Sequence, residues 1–180
     1  MRRLQISAMV AVVAVAAVAM PAAAQSGRAA GSATYASAPS VKRDSIALAR
    51  AQQAAARADR RWNAYDLAGA RRDYAQAVEL LRSRQLYAGP TLVSLAHVTY
   101  ATESPLKAAR VLVDAAEEAA AFGDLALQAQ SLFEASVLYS EGGDPGQAGR
   151  LVEQTRKLLT SPYLPAEVKE RIERRMITAE

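Results

Sequence analysis

The 180-residue chain contains no cysteine, and this absence excludes several kinds of protein. Without cysteine the fold cannot be held by disulfide bonds, and neither a Cys–His nucleophile pair nor a lipoprotein thioether anchor can form. The chain also has a single histidine, His97, which excludes a metal site built from several histidine ligands. The fold must therefore be stabilised by the burial of its apolar side chains.

The residues that enzymes use for catalysis are also scarce. No G-x-S-x-G stretch supplies a frame for a Ser–His–Asp triad. Glu117 and Glu118 are adjacent and point in different directions from a helix, which favours a solvated surface over a catalytic carboxylate pair. Glu141 and Asp144 flank glycines but lack the alternating acidic ligands of a calcium loop. We therefore expect a protein that is not an enzyme and that uses no cofactor and no metal.

Residues 1–24 have the layout of a bacterial secretory signal peptide. A Met-Arg-Arg start is followed by an uncharged apolar run over residues 6–20, and Ala22–Ala24 supplies an A-x-A cleavage pattern. The run is shorter than the roughly 20 residues that a spanning helix needs, so we expect no membrane anchor after cleavage. The sequence predicts a chain cleaved between Ala24 and Gln25 and exported to the periplasm or the medium.

The charge of the predicted mature chain is mild. Arg2 and Arg3 carry two of the four net positive charges, which leaves a net charge of +2 after cleavage. This charge and the predicted export argue against nucleic acid as a partner. Seven arginines nevertheless cluster early in the chain: Arg57, Arg60, Arg61, Arg71, Arg72, Arg82 and Arg84. Acidic residues are interleaved with them, which favours a salt-bridged exposed face, and a weak basic patch for anionic polymer or lipid is the alternative.

Two regions follow the predicted cleavage site. Residues 25–42 are largely Gly, Ser and Ala, and they are predicted to form a disordered leader. Residues 43–180 are predicted to form one all-α domain, because strong helix formers dominate and no stretch alternates as a strand does. Start and stop signals predict helices over residues 44–63, 67–84, 90–102, 105–122, 124–139 and 145–159, and a last helix after Pro165.

Three of the predicted helices begin with the same arrangement of residue sizes. After a turn, each places a small residue, then a larger residue four positions later, then a small residue three positions after that. The three sets are Ala70/Tyr74/Ala77, Ala108/Leu112/Ala115 and Ala148/Val152/Thr155. The preceding helices carry Ala58, Ala96 and Ser136, each twelve positions before the first member of its set. Small residues at such positions let paired helices approach closely.

This pattern resembles the tetratricopeptide repeat, which runs W-x2-L-G-x2-Y, then A-x3-F, then a closing proline. The third unit is the most similar, with Ala135-Ser136, Tyr139, Gly143-Asp144 and Ala148 at the corresponding places. The units are 38 and 40 residues apart, against roughly 34 in the family. The first unit departs further, because Arg57-Ala58 stands where Leu-Gly is usual.

The resemblance covers residues 44–161 and implies a particular architecture. It implies a right-handed array of three antiparallel helical hairpins, followed by a C-terminal capping helix with a polar outer face. The alternative is a generic helical bundle in which the regularly spaced alanines are coincidental.

In tetratricopeptide arrays the first helix of each hairpin lines a concave binding surface. The resemblance places ten residues on that surface: Gln52, Asp59, Trp62 and Asn63; Val93, His97 and Tyr100; Gln130, Phe133 and Val137. Trp62, Tyr100 and Phe133 would be the main anchors for a partner, and His97 and Asn63 would supply polar contacts. The alternative is that Trp62 and Phe133 fill gaps between hairpins.

The resemblance and the predicted export together imply a function. We expect an exported, non-catalytic scaffold or adaptor of the cell envelope that binds a protein or peptide on its concave face. Two alternatives stay open from the sequence alone. One is an envelope protein that self-associates through its helical ends, and the other is a binder of anionic polymer or lipid through the arginine-rich first hairpin.

Overall fold

A computed structural model describes residues 38–177, and every regular element in this range is an α-helix. Seven helices follow one another: α1 Ala38–Asn63, α2 Leu67–Arg82, α3 Gly89–Thr102, α4 Pro105–Phe122, α5 Leu125–Glu141, α6 Pro145–Leu159 and α7 Ala166–Ile177. The all-α prediction is confirmed for these residues. The predicted signal peptide, residues 1–24, and leader residues 25–37 lie outside the described range.

The helix boundaries follow the sequence signals to within one residue, apart from three larger differences. Helix α1 begins at Ala38 instead of Asp44, so it includes the last part of the predicted leader, residues 38–42; Pro39 falls in its first turn, where proline is tolerated. Helix α2 ends at Arg82 instead of Arg84, and α5 continues to Glu141. None of the described helices combines the length and the apolarity that crossing a bilayer requires.

The turn between α5 and α6 is one of three copies of the same turn. In each copy a residue with positive φ precedes an aspartate that caps the next helix: Tyr65 (60°) before Asp66, Gly123 (76°) before Asp124, and Gly143 (82°) before Asp144. Each aspartate also donates its own N–H to the carbonyl five residues back, at 2.8–2.9 Å. Because positive φ is costly for most residues, glycine suits the second and third copies.

The capping side chains act in the same way at all these turns. Asp66 accepts a hydrogen bond from the N–H of Gly69, Asp124 from that of Leu127 and Asp144 from that of Gln147, at 2.9–3.0 Å. Ser104 takes this place before α4 and accepts from the N–H of Lys107 at 3.3 Å. Each cap satisfies one of the N–H groups that a helix start leaves unpaired.

The contacts between helices fit a helical repeat. From α1 to α6 each helix packs against the next one in the chain, α3 also contacts α5, and α7 packs against α5. Within the described range, no two helices more than two places apart make substantial contact. A closed bundle would bring distant helices together, so the described chain is an open succession of neighbours.

The small residues named above lie at the contacts between helices. Ala58, Ala96 and Ser136 are buried, and so are Ala70, Ala108 and Ala148. Ala70 lies in a cluster with Ala58 and Tyr74 of the first two helices and Val98 of α3. Leu112 of the second set packs in a cluster with Leu132 and Ala135 of α5. The three sets therefore occupy similar positions, although Val152 of the third set stays partly exposed.

Enlarging one of these alanines should destabilise the array. Ala108 is fully buried, so Ala108→Leu inserts three carbons where the packing leaves no room. We expect a loss of about 1–3 kcal/mol in the free energy of unfolding, measured by urea denaturation followed by circular dichroism. Ala121→Leu, at an exposed position of the same helix, is the control and should change stability little. Equal effects of the two substitutions would contradict the close contact at Ala108.

Candidate interaction surface

We define the odd-helix face as the surface carried by α1, α3, α5 and α7; the ten residues singled out from the sequence lie on three of these helices, α1, α3 and α5. Gln52, Asp59, Asn63, His97, Tyr100 and Val137 are exposed, Trp62, Val93 and Gln130 are half-buried, and Phe133 is buried. The exposed group includes large apolar side chains, with Tyr100 at 42% and Val137 at 38% of full exposure. This face therefore offers both apolar and polar groups to solvent.

Polar side chains connect α3 to α5 across this face. The Tyr100 hydroxyl donates a hydrogen bond of 2.8 Å to Oε1 of Glu141. Nε2 of His97 lies 3.5 Å from Oε2 of Glu134. This contact lies one turn earlier on α3 and two turns earlier on α5 than the Tyr100–Glu141 hydrogen bond. The two links hold α3 and α5 in fixed register without covering the rings of His97 and Tyr100.

Glu134 also connects α5 to α7. Its Oε1 lies 3.5 Å from Nη1 of Arg175, so one carboxylate faces the imidazole of α3 and the guanidinium of α7. Burial alone would raise the pKa of Glu134, but the hydrogen bond and the charge of His97, with those of Arg175, hold it below its ordinary value of 4.5. The ionised form of Glu134 is thus the form that the folded chain favours.

The other carboxylates of the face are held by tyrosines. The Tyr74 hydroxyl donates a hydrogen bond to Asp59, and burial together with this carboxylate raises the pKa of Tyr74. The hydrogen bond to Glu141, followed by burial and the carboxylate charge, raises the pKa of Tyr100. Asp59 and Glu141 thus each accept a hydrogen bond from a tyrosine hydroxyl of another helix.

Phe133 is not an exposed anchor in this structure. Its side chain is only 3% exposed and packs with Leu159, Leu164 and Ile172, beneath α7. The guanidinium of Arg175 lies over the ring, 5.1 Å from its centroid, in a cation–π arrangement. The ring fills the space between α5, α6 and α7, as the alternative interpretation of the sequence expected.

Trp62 occupies an intermediate position. It packs against the cluster of Ala58, Ala70, Tyr74 and Val98 and is half-buried there. Part of its ring contributes to the packing of the first hairpin on α3, and the remaining part faces solvent. Of the three predicted anchors, Tyr100 is the one that the structure leaves well exposed.

Sequence reasoning missed the residues that link the odd helices. The sequence patterns do not point to Glu134 or Arg175, and they place Glu141 only in a stretch that lacks the ligands of a calcium loop. The separation of the contacting residues along the sequence is the signal that could have identified them. His97 and Glu134 are 37 residues apart, and Tyr100 and Glu141 are 41 residues apart. Both separations are close to the repeat spacing, as expected for residues at corresponding places in neighbouring units.

The arginine cluster is largely ion-paired within the chain. Arg57 and Arg61 lie 3.7 and 3.4 Å from the carboxylate of Asp73. Arg71 pairs with Glu103, and Nε of Arg82 lies 2.8 Å from Oε2 of Glu118. Four of the seven arginines are thus engaged with acidic neighbours, which favours the salt-bridged face over a basic binding patch.

Among residues 38–177, no group of three or more His, Asp or Glu side chains is placed to hold a metal ion.

Comparison with protein-family models, with curated proteins and with solved structures finds no match to this chain. The geometry of the odd-helix face is therefore the basis for any functional assignment.

The low pKa of Glu134 predicts a pH-dependent contribution to stability. Because the folded-state pKa lies below the unfolded value, the contribution is present above the ordinary pKa and is lost as the pH falls through the folded-state pKa. We expect Glu134→Gln to lower the melting temperature at neutral pH, and the difference from the parent chain to shrink below about pH 4. Thermal unfolding of both chains across this range measures it.

Glu117→Gln is the control for this experiment, because Glu117 is an exposed carboxylate on α4. It should leave the melting temperature nearly unchanged at every pH. A difference between Glu134→Gln and the parent that stays constant down to low pH would contradict a stabilising role for the ionised carboxylate.

Proposed function

We propose that this chain is an exported, non-catalytic interaction scaffold that binds a protein or peptide partner along its odd-helix face. One observation carries the proposal. Tyr100 and His97 of α3 and Arg175 of α7 contact two carboxylates of α5, those of Glu141 and Glu134. The odd-helix face that these contacts cross still exposes an aromatic ring and aliphatic groups. A continuous strip of this kind suits a segment that crosses several helices.

We further propose that the helices form a right-handed, tetratricopeptide-like array in which α1/α2, α3/α4 and α5/α6 are the hairpins and α7 is the capping helix. Three features support this arrangement. A side-chain cap (Asp66, Ser104 or Asp144) begins the second helix of each proposed hairpin, the small residues of the three units are all buried, and α7 lies on α5 as α5 lies on α3. In such an array the odd helices form the inner, concave surface.

Binding on this face would combine one aromatic contact with directed polar contacts. The exposed part of Tyr100 and the side chain of Val137 would pack against an apolar side chain of the partner. His97 and Asn63, both exposed, would hydrogen-bond its backbone or side chains. Because Phe133 is covered, Tyr100 takes over as the central anchor, and exposed aromatic side chains of this kind often dominate binding energy.

The scaffold interpretation also accounts for the polar groups without invoking catalysis. The imidazole of His97 faces a carboxylate on an open surface, with 59% of its side chain exposed to solvent. Reactions that need a general base usually place it in a cleft that excludes water. Here the carboxylates of Glu134 and Glu141 position neighbouring helices, and this role belongs to a rigid binding surface.

The experiment that tests the proposal is the double substitution His97→Ala/Tyr100→Ala. Both side chains are exposed, so we expect the helical circular dichroism to be unchanged and the partner isolated with the tagged parent chain to be lost. Removing a central aromatic anchor typically costs about 2 kcal/mol or more, which is a loss of affinity of roughly thirtyfold. This loss is measured as the affinity of the purified parent and variant chains for the partner recovered from the native envelope.

The control is Arg110→Ala/Glu117→Ala, which changes two exposed residues of α4 and leaves the odd-helix face intact. It should retain the partner at parental affinity. Binding that survives His97→Ala/Tyr100→Ala and is lost in the α4 variant would refute the assignment of this face.

A further inference from the structure

A groove that we call the even-helix groove lies between α2 and α4, with part of α3 as its floor. Its volume is about 450 Å³, within the range of pockets that hold small molecules. Val78, Leu92, Leu95 and Val111 give it an apolar floor. None of the ten residues singled out for the odd-helix face lines this groove, so it is a separate surface.

The groove is open because short side chains stand where the next unit has longer ones. Ala75 of α2 corresponds to Val113 of α4, and Val111 of α4 corresponds to Leu151 of α6. Val113 and Leu151 pack in one cluster with Leu112 and so fill the space between α4 and α6. Between α2 and α4, Ala75 is exposed and Val111 is only partly buried, which leaves that space to solvent.

Ion pairs cross the groove near both of its ends. At one end Glu103 pairs with Arg71 of α2 and with Lys107 of α4, and at the other Arg82 of α2 pairs with Glu118 of α4 at 2.8 Å. The two arginines are eleven residues apart on α2, which corresponds to about 16 Å along the helix axis. A helix laid along the groove would have to pass over both ion pairs, whereas a short molecule fits between them.

Two carboxylates without partners line the groove, Glu79 of α2 and Asp114 of α4. No group within residues 44–177 forms a hydrogen bond or an ion pair with either carboxylate. Arg82, the one cation of the lining, is already bound to Glu118. An apolar floor beside two unpaired negative charges is complementary to a molecule with an aliphatic body and a positive charge.

We propose that the even-helix groove binds a small cationic amphiphile, a molecule with one ammonium group on a short aliphatic chain. The chain lies on Leu92, Leu95 and Val111, and removes their remaining apolar surface from water. The ammonium group, which has three N–H donors, lies at the carboxylates of Glu79 and Asp114. This site is additional to the partner-binding face and does not rest on it.

Three probes of equal chain length test the proposal: octylammonium, octanol and octanoate. Each is titrated into the parent chain, below the concentration at which it forms micelles, and amide resonances are followed by NMR. We expect octylammonium to shift the resonances of residues 75–79 and 111–114 with a Kd of about 1 mM or tighter. Octanol should bind about threefold or more weakly, because it lacks the charge, and octanoate more weakly still.

The result that would overturn the proposal is equally specific. Octylammonium that leaves these resonances unmoved would show that the groove is not its site. Octanol or octanoate that binds as tightly as octylammonium would reject the cationic class of ligand. The groove would then be a purely apolar surface, of the kind that receives an aliphatic side chain of another protein.

The two carboxylates are tested by Glu79→Gln/Asp114→Asn, which removes both charges and keeps the size of the side chains. This variant should bind octylammonium about threefold or more weakly than the parent chain and should bind octanol unchanged. The matched control is Glu117→Gln/Glu173→Gln, which removes two exposed carboxylates that do not line the groove. Equal losses in the two variants would indicate a general attraction of charge and would refute the site.

The apolar floor is tested by Ala75→Leu, which places a longer side chain over it. Ala75 is exposed and leucine is a strong helix former, so we expect the helical circular dichroism to be retained. Octylammonium and octanol should both bind roughly tenfold more weakly, because the new side chain displaces about two methylene groups of the ligand from the floor. Ala121→Leu, at an exposed position outside the groove, should keep parental affinity. Parental affinity in Ala75→Leu would refute the groove as the site.

The ligand site and the partner-binding face can be tested separately. His97→Ala/Tyr100→Ala should bind octylammonium as the parent chain does, and Ala75→Leu should retain the protein partner. Loss of octylammonium binding in His97→Ala/Tyr100→Ala would place its site on the odd-helix face and would overturn the assignment to the even-helix groove.

Discussion

The fold depends on the close approach of neighbouring helices, which small side chains permit. Ala58, Ala96 and Ser136 lie against the helix that follows in each unit, and all three are almost inaccessible to solvent. An alanine contact buries little apolar area, so its value lies in letting larger neighbours such as Leu112 reach their partners. Stability is accordingly spread over many modest contacts along the chain, with no single large core.

This arrangement determines where polar groups can be placed. Small and aliphatic residues make many of the contacts between helices, and most carboxylates lie on the faces and at the turns. Asp73, which is buried on α2 beside Arg57 and Arg61 of α1, is an exception. At the turns, aspartates cap helix starts; on the odd-helix face, Glu134 and Glu141 connect neighbouring helices. The side chains that connect neighbouring helices therefore also give the face its chemical character.

Much of the fold follows from local sequence signals. The helix starts at Pro105 and Pro145 are placed correctly because serine or aspartate followed by proline is a strong start signal, and the spacing of small residues identifies the buried sides. The candidate surface was harder to predict. Whether Phe133 is exposed depends on where α7 packs. The whole of α6 lies between α5 and α7 in the sequence, so no local pattern indicates this contact. The role of Glu134 has the same origin, since its partners lie on two other helices.

The recurrence of one turn before α2, α5 and α6 has a consequence for how such a chain can change. Each copy is closed by its own backbone hydrogen bonds and its own aspartate, and it needs nothing from distant parts of the molecule. Since each helix depends on its immediate neighbours, duplication or deletion of the four helices α2–α5, which lie between the turn before α2 and the turn before α6, would leave the remaining junctions intact. Length is thus the property of this architecture that gene rearrangement can alter most readily, and with it the number of helices in the odd-helix face.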